Sequence, residues 1–160
     1  MKRYAFLLTL FFVSVFVAMS FPYLLPHRTL STIVATSTLD AKANLSKEAY
    51  YVMYQGGTET PFSSPLDFET RPGTYVSADT GLPLFRSENK YDSGTGWPSF
   101  TKPISMDNVL LKNDDSLGIS RTEAITKDTG AHLGHVFDDG PLPLGKRWCM
   151  NGVALRFIPD

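Results

Sequence analysis

From Gly73 onward, apolar residues come in short runs. Gly73–Val76, Leu82–Phe85, Val109–Lys112, Ser116–Thr122 and His132–Phe137 are separated by Pro, Gly, Asp and Asn. A strand needs only about four to eight residues between such punctuation, whereas a helix needs about ten or more. The spacing predicts a mainly β domain with antiparallel pairing and long ordered loops. One segment breaks the rule. Leu45 to Gln55 (LSKEAYYVMYQ) predicts an N-terminal helix, with Ser46 as its cap, Glu48 in the first turn and Gly56-Gly57 ending it.

Ahead of that helix the composition changes. Lys2 and Arg3 precede an apolar run from Tyr4 to Met19, and Ala18-Met19-Ser20 offers small residues for cleavage. Residues 1–20 therefore read as a signal peptide, with an uncleaved membrane anchor as the alternative. Residues 21–44 are rich in Ser and Thr and poor in acids. Four basic residues stand against one acid in 1–44, and eleven against fifteen in 45–160. A basic, hydroxyl-rich segment has the composition of a transit peptide. Behind a signal peptide it resembles the two-part plastid leader of algae with secondary plastids; the alternative is a spacer in a secreted or endomembrane protein. Residues 45–160 form the domain, expected as a monomer. Mild acidity without a basic cluster leaves nucleic-acid binding no electrostatic footprint.

Cys149 is the single cysteine, so no disulfide can form within the chain. It lies in RWCMN, which reads as the terminal strand, with Arg147, Cys149 and Asn151 on one face and Trp148 and Met150 on the other. Gly152 is a candidate bulge before Val153, Leu155 and Phe157. Just upstream, GAHLGHVFDDGP holds His132 and His135. A thiol near histidines is the material of thiolate chemistry; a lone Cys is otherwise a small core hydrophobe.

SGTGWPSF (Ser93–Phe100), GAHLGHVFDDGP (Gly130–Pro141) and RWCMN (Arg147–Asn151), in that order, resemble the methionine-R-sulfoxide reductases from about Leu45 to the C-terminus. The resemblance implies two antiparallel β-sheets in one small domain. It implies Cys149 as the nucleophile, attacking the sulfoxide sulfur and left as a sulfenic acid. His132 and His135 match the active-site histidines, candidates for the acid that protonates the departing oxygen. Asp139 matches an acid that orients this network. Arg147 and Asn151 flank the nucleophile, to favour the thiolate or fix the substrate oxygen. Trp97 matches the wall that receives the sulfoxide methyl group. Asp138 reads as a turn residue.

Two departures from the family pattern carry expectations. Where many members bind zinc through two Cys-x-x-Cys pairs, this chain has Ser77, Thr80, Thr126 and Thr129, so no zinc is expected. Where members place a resolving cysteine it has Thr95, so the sulfenic acid needs an external reductant: thioredoxin, a glutaredoxin with glutathione, or a small thiol. The alternatives to a reductase are a non-catalytic binding module and a thiol redox sensor on the same fold.

Overall fold

The computed structural model describes residues 41–160, so the leader expected at 1–20, and all but the end of the segment at 21–44, lie outside the described residues. Helix α1 spans Lys47–Gln55. The Ser46 hydroxyl accepts the Ala49 N–H at 3.0 Å, and Gly56 turns the chain away in the left-handed region at φ 71°. Ala49, Val52 and Met53 form its buried stripe.

Nine strands follow among the described residues: β1 Gly73–Ser77, β2 Pro83–Arg86, β3 Lys90–Tyr91, β4 Ser99–Phe100, β5 Val109–Asp114, β6 Arg121–Thr126, β7 His132–Phe137, β8 Arg147–Met150 and β9 Leu155–Pro159. They form a three-stranded sheet in the order β2-β1-β9 and a six-stranded sheet in the order β3-β4-β8-β7-β6-β5. Every pair is antiparallel, as the short punctuated runs imply.

Aromatic side chains join the sheets. Phe85 of β2 stacks on Phe100 of β4 with ring centroids 4.4 Å apart, and Trp148 of β8 meets Phe85 edge-on at 6.0 Å. Trp148 and Met150 are both buried on this inner face. Full burial of such a side chain stabilises by about 1.5–3 kcal/mol. Helix α1 packs against β7 and the turn that follows β8.

Three features differ from the sequence reading. The strand expected at Ser116–Thr122 begins later, at Arg121, because Asp115–Gly118 closes a turn (Gly118 N–H to Asp115 carbonyl, 3.1 Å) whose entry the Asp114 carboxylate caps at the Ser116 N–H. β3 and β4 have two residues each, too few for any alternation to register. And β8 is not the terminal strand. A 3-10 turn at Gly152–Ala154 moves the chain from the large sheet to the small one, where β9 pairs with β1. The cause is local: the buried Glu59 carboxylate accepts the N–H groups of Gly152 and Val153, which no longer serve a ladder. A side chain at 152 would collide with Ser64.

Candidate active site

The register of the six-stranded sheet aligns one residue from every strand in a single row. Lys112 pairs with Glu123, Glu123 with His135, His135 with Cys149, Cys149 with Ser99, and Ser99 with Tyr91. Directly opposite residues project from the same face, and this is the face opposite Trp148 and Met150. The nucleophile candidate and a histidine are thus cross-strand neighbours, on a sheet held rigid by the core behind it.

His132 and His135 are three residues apart, which in a regular strand puts them on opposite faces. An irregularity in the β6–β7 pairing removes the conflict: Ala124 pairs with Gly134 and Ile125 with His132, leaving Leu133 unopposed. Both imidazoles then share a face, their ring centroids 5.3 Å apart. Gly134 is required here, because a Cβ would lie 2.1 Å from the Cys149 carbonyl oxygen.

Two connected depressions open over this row. A cavity of about 130 Å³ is lined by Cys149, His135, Trp97, Asn151, Phe137 and Arg121, among others. Next to it, a groove of about 410 Å³ holds both histidines with Asp114, Glu123, Arg121 and Leu117. The smaller cavity combines a thiol, aromatic walls and hydrogen-bond donors, as a site for a small polar group with an apolar cap requires.

Burial pushes the Cys149 thiol above its ordinary range, opposed by the Thr95 hydroxyl, the Arg147 charge and the Ser99 hydroxyl. Thr95 Oγ1 is 3.9 Å from Sγ, and Ser93 bridges Thr95 and Ser99 at 2.8 Å each. The thiol therefore sits beside a cation and two hydroxyls that oppose the effect of burial and favour its thiolate form.

The acids are not where the sequence placed them. Asp139 touches neither histidine. Its carboxylate takes two parallel bonds from Arg147, Nε and NH2 both at 2.8 Å, while that guanidinium lies 4.3 Å from the centre of the Phe137 ring. Asp138 does lie in the bend after β7, as expected of a turn residue, and pairs with Lys146 at the surface. The histidines instead find acids on the β5–β6 hairpin: His132 Nδ1 meets Glu123 at 2.7 Å and His135 Nε2 meets Asp114 at 2.7 Å. Burial depresses His132, with Glu123 pulling the other way. A neutral His132 then carries its hydrogen on Nδ1, facing the carboxylate. Asp114, Arg121 and Glu123 were missed from sequence; the available signal was Arg121-Thr122-Glu123, whose alternation puts Arg and Glu on one face.

Asn151 is buried, and its amide is already in use. Oδ1 accepts the Glu59 N–H and Nδ2 donates to the Leu133 carbonyl, each at 3.0 Å, leaving one amide hydrogen free. Trp97 is held by its indole N–H on the Glu59 carbonyl, 3.3 Å away. Glu59, also missed from sequence, therefore ties the Trp97 wall and Asn151 to the turn after β8.

Comparison with known proteins agrees with this geometry. A SelR domain model matches residues 45–159. The peptide methionine sulfoxide reductase MsrB of Methanosarcina barkeri is 48% identical over 124 residues, spanning 78% of this chain and 87% of that protein. The chain belongs to the methionine sulfoxide reductase B family. The enzymes of the same name from Methanosarcina mazei (47% over 127 residues, 79% of this chain and 91% of that one) and Alteromonas mediterranea (47% over 118 residues, 74% and 83%) tell the same story.

Many members of the methionine sulfoxide reductase B family bind zinc between two turns, which here are Ser77–Gly81 and Thr126–Gly130. The residues present do not fit that metal. Asp79 sits between the turns and accepts from Tyr54 OH (2.5 Å), Thr129 Oγ1 (2.8 Å), Thr80 N–H (2.7 Å) and the Ser77 hydroxyl, while Thr126 bonds Thr129 at 2.8 Å. Burial raises the Asp79 pKa, but these donors together outweigh it and hold the carboxyl below its ordinary value. The lone pairs are occupied and no thiolate is present, so a closed tetrahedral zinc site has no ligands here. A hydrogen-bonded clasp on Asp79 joins the two turns.

Proposed function

We propose that the protein reduces the R epimer of methionine sulfoxide, in proteins or as the free amino acid, and so repairs oxidative damage without a bound metal. The observation that carries this reading is the cross-strand pair Cys149–His135 facing a cavity of about 130 Å³ walled by Trp97 and Phe137. That volume suits a methylsulfinyl group, with the methyl against the rings and the oxygen toward the donors.

The thiolate of Cys149 attacks the sulfoxide sulfur while a histidine delivers a proton to the oxygen. The S–O bond breaks and oxygen passes to the cysteine. Methionine sulfur gains two electrons, Cys149 loses them, and Cys149 is left as sulfenic acid. Arg147, anchored by Asp139, favours the thiolate, and Asn151, with one amide hydrogen to spare, lines the same cavity. With no second cysteine in the sequence, an incoming thiol condenses with the sulfenic acid, releasing water; a further thiol frees Cys149 and leaves as disulfide. Thioredoxin, glutaredoxin with glutathione, or a small thiol meets that need.

The test supplies the protein with dithiothreitol and separated R and S epimers of a methionine-sulfoxide peptide. Turnover of the R epimer alone, abolished by Cys149→Ser, is expected. Turnover of the S epimer, or activity surviving in Cys149→Ser, rules the assignment out.

A further inference from the structure

The acid held against His135 is itself held by a cation. Asp114, the last residue of β5, is the cross-strand partner of Arg121, the first of β6. One oxygen, Oδ2, takes both the Arg121 NH2 at 2.6 Å and the His135 Nε2 at 2.7 Å, and Oδ1 takes the Ser116 N–H at 3.0 Å. The Asp114 and His135 side chains are 16% and 13% exposed, so these bonds face little competition from water.

We propose that Asp114 and Arg121 are positioning residues for proton delivery in the reductase reaction, acting through His135. Asp114 fixes the ring by Nε2, which leaves Nδ1 as the nitrogen that can donate into the cavity. Because Nε2 already carries the hydrogen that Asp114 accepts, a proton on Nδ1 makes His135 an imidazolium. Arg121, sharing the same oxygen, holds the carboxylate in place, so the pair fixes which nitrogen of His135 faces the cavity. Hydrogen bonds from Ser116, then His135, keep the Asp114 carboxyl well below the usual carboxylate range, so it stays an anion throughout.

The other charged groups around the ring leave this assignment intact. Glu123 faces His135 from β6, but its carboxylate is taken by His132 at 2.7 Å and Lys112 at 3.8 Å. His132 lies beside it on the same strand. From β8 come Cys149 and, beyond it, Arg147, whose guanidinium is fixed on Asp139. In the step itself the Nδ1 proton passes to the sulfoxide oxygen as the Cys149 sulfur is oxidised. His135 is left neutral with its hydrogen on Nε2, and solvent restores the proton.

This rests on the reductase reading, and the experiment separates the two. Wild type, Asp114→Asn and Arg121→Gln, as full-length protein, are assayed for kcat and KM on an R-sulfoxide peptide across pH. The imidazole nitrogens are followed by ¹⁵N NMR without substrate. In Asp114→Asn, kcat at neutral pH is expected to fall about a hundredfold, within the range that general-acid catalysis supplies. KM should stay within about twofold of wild type. In Arg121→Gln, which frees the carboxylate from its cation, kcat should fall less, and the Nε2–H tautomer should lose part of its preference. Neutral His135 should be the Nε2–H tautomer in wild type and a mixture in Asp114→Asn. If Asp114→Asn fails to fold, the tautomer and kcat of Arg121→Gln decide alone. An active wild type whose variants keep both kcat and tautomer, or change only KM, overturns this inference and leaves the reductase reading standing. An inactive wild type overturns both.

Discussion

The Thr95 hydroxyl lies 3.9 Å from the Cys149 sulfur, on a loop whose turns are made by Gly94 and Gly96 in positive-φ conformations. Family members that form an internal disulfide often carry a resolving cysteine at this position. A thiol placed there needs only a small loop movement to reach the about 2 Å of a disulfide bond. One turnover without reductant should leave the wild type with a sulfenic acid that dimedone traps. The same turnover in Thr95→Cys should give an intrachain disulfide and no dimedone adduct, read by mass spectrometry. A persistent adduct in the variant would mean that the loop cannot close on Cys149.

Arg147 sits beside a thiol that burial has already pushed upward. Removing the cation takes away a force that favours the thiolate, so Arg147→Gln should push the titration higher still. One unit corresponds to about tenfold less thiolate at a given pH. The pH dependence of iodoacetamide alkylation measures this directly, and its midpoint should move to higher pH. Asp139→Asn, which loosens Arg147 without removing it, should produce a smaller displacement in the same direction. An unchanged midpoint in Arg147→Gln would show that the guanidinium does not act on the sulfur.

Legibility followed chain distance. Trp97, His132, His135, Cys149 and Asn151 lie within three short motifs, and β1, β2, β5 and β7 were visible as punctuated apolar runs. Asp114, Arg121 and Glu123 were hidden, because they reach the site only through the pairing of β5, β6 and β7, which no local pattern encodes. The same holds for Glu59, which acts on Asn151, Gly152 and Val153 across more than ninety residues of chain. Asp139 was placed with the histidines by the family resemblance, but Arg147 on the neighbouring strand offers two parallel donors and takes it. The irregularity at Gly134 had a signal in retrospect, a glycine inside an otherwise apolar strand.

Gly134→Ala tests whether that irregularity builds the site. The new Cβ would lie 2.1 Å from the Cys149 carbonyl oxygen and 2.9 Å from the Met150 Cα, both backbone atoms of the facing strand. Relief requires β7 and β8 to separate, and they carry His135 and Cys149. Stability should fall by about 1–3 kcal/mol, the usual cost of overpacking, in urea unfolding. Turnover should fall further than the unfolded fraction accounts for. A variant with wild-type turnover would show that His135 and Cys149 tolerate a change in strand spacing.

The clasp around Asp79 predicts a domain whose stability does not depend on metal. Asp79 accepts four hydrogen bonds from three separate segments, so Asp79→Ala leaves Ser77, Tyr54 and Thr129 with donors that lack their partner. The expected loss is roughly 2–4 kcal/mol, since stranded buried donors cost more than the bonds themselves contributed. The pH sign follows from a carboxyl held below its ordinary value. Its contribution is fully present above the unfolded-state value and disappears as pH falls through the folded one, so the gap between wild type and Asp79→Ala should be constant at neutral pH and shrink only in acid. Chelator should leave the wild-type unfolding midpoint unchanged, with zinc well below one equivalent by elemental analysis. A midpoint that drops on chelation would mean that a metal, rather than the carboxylate, joins the two turns.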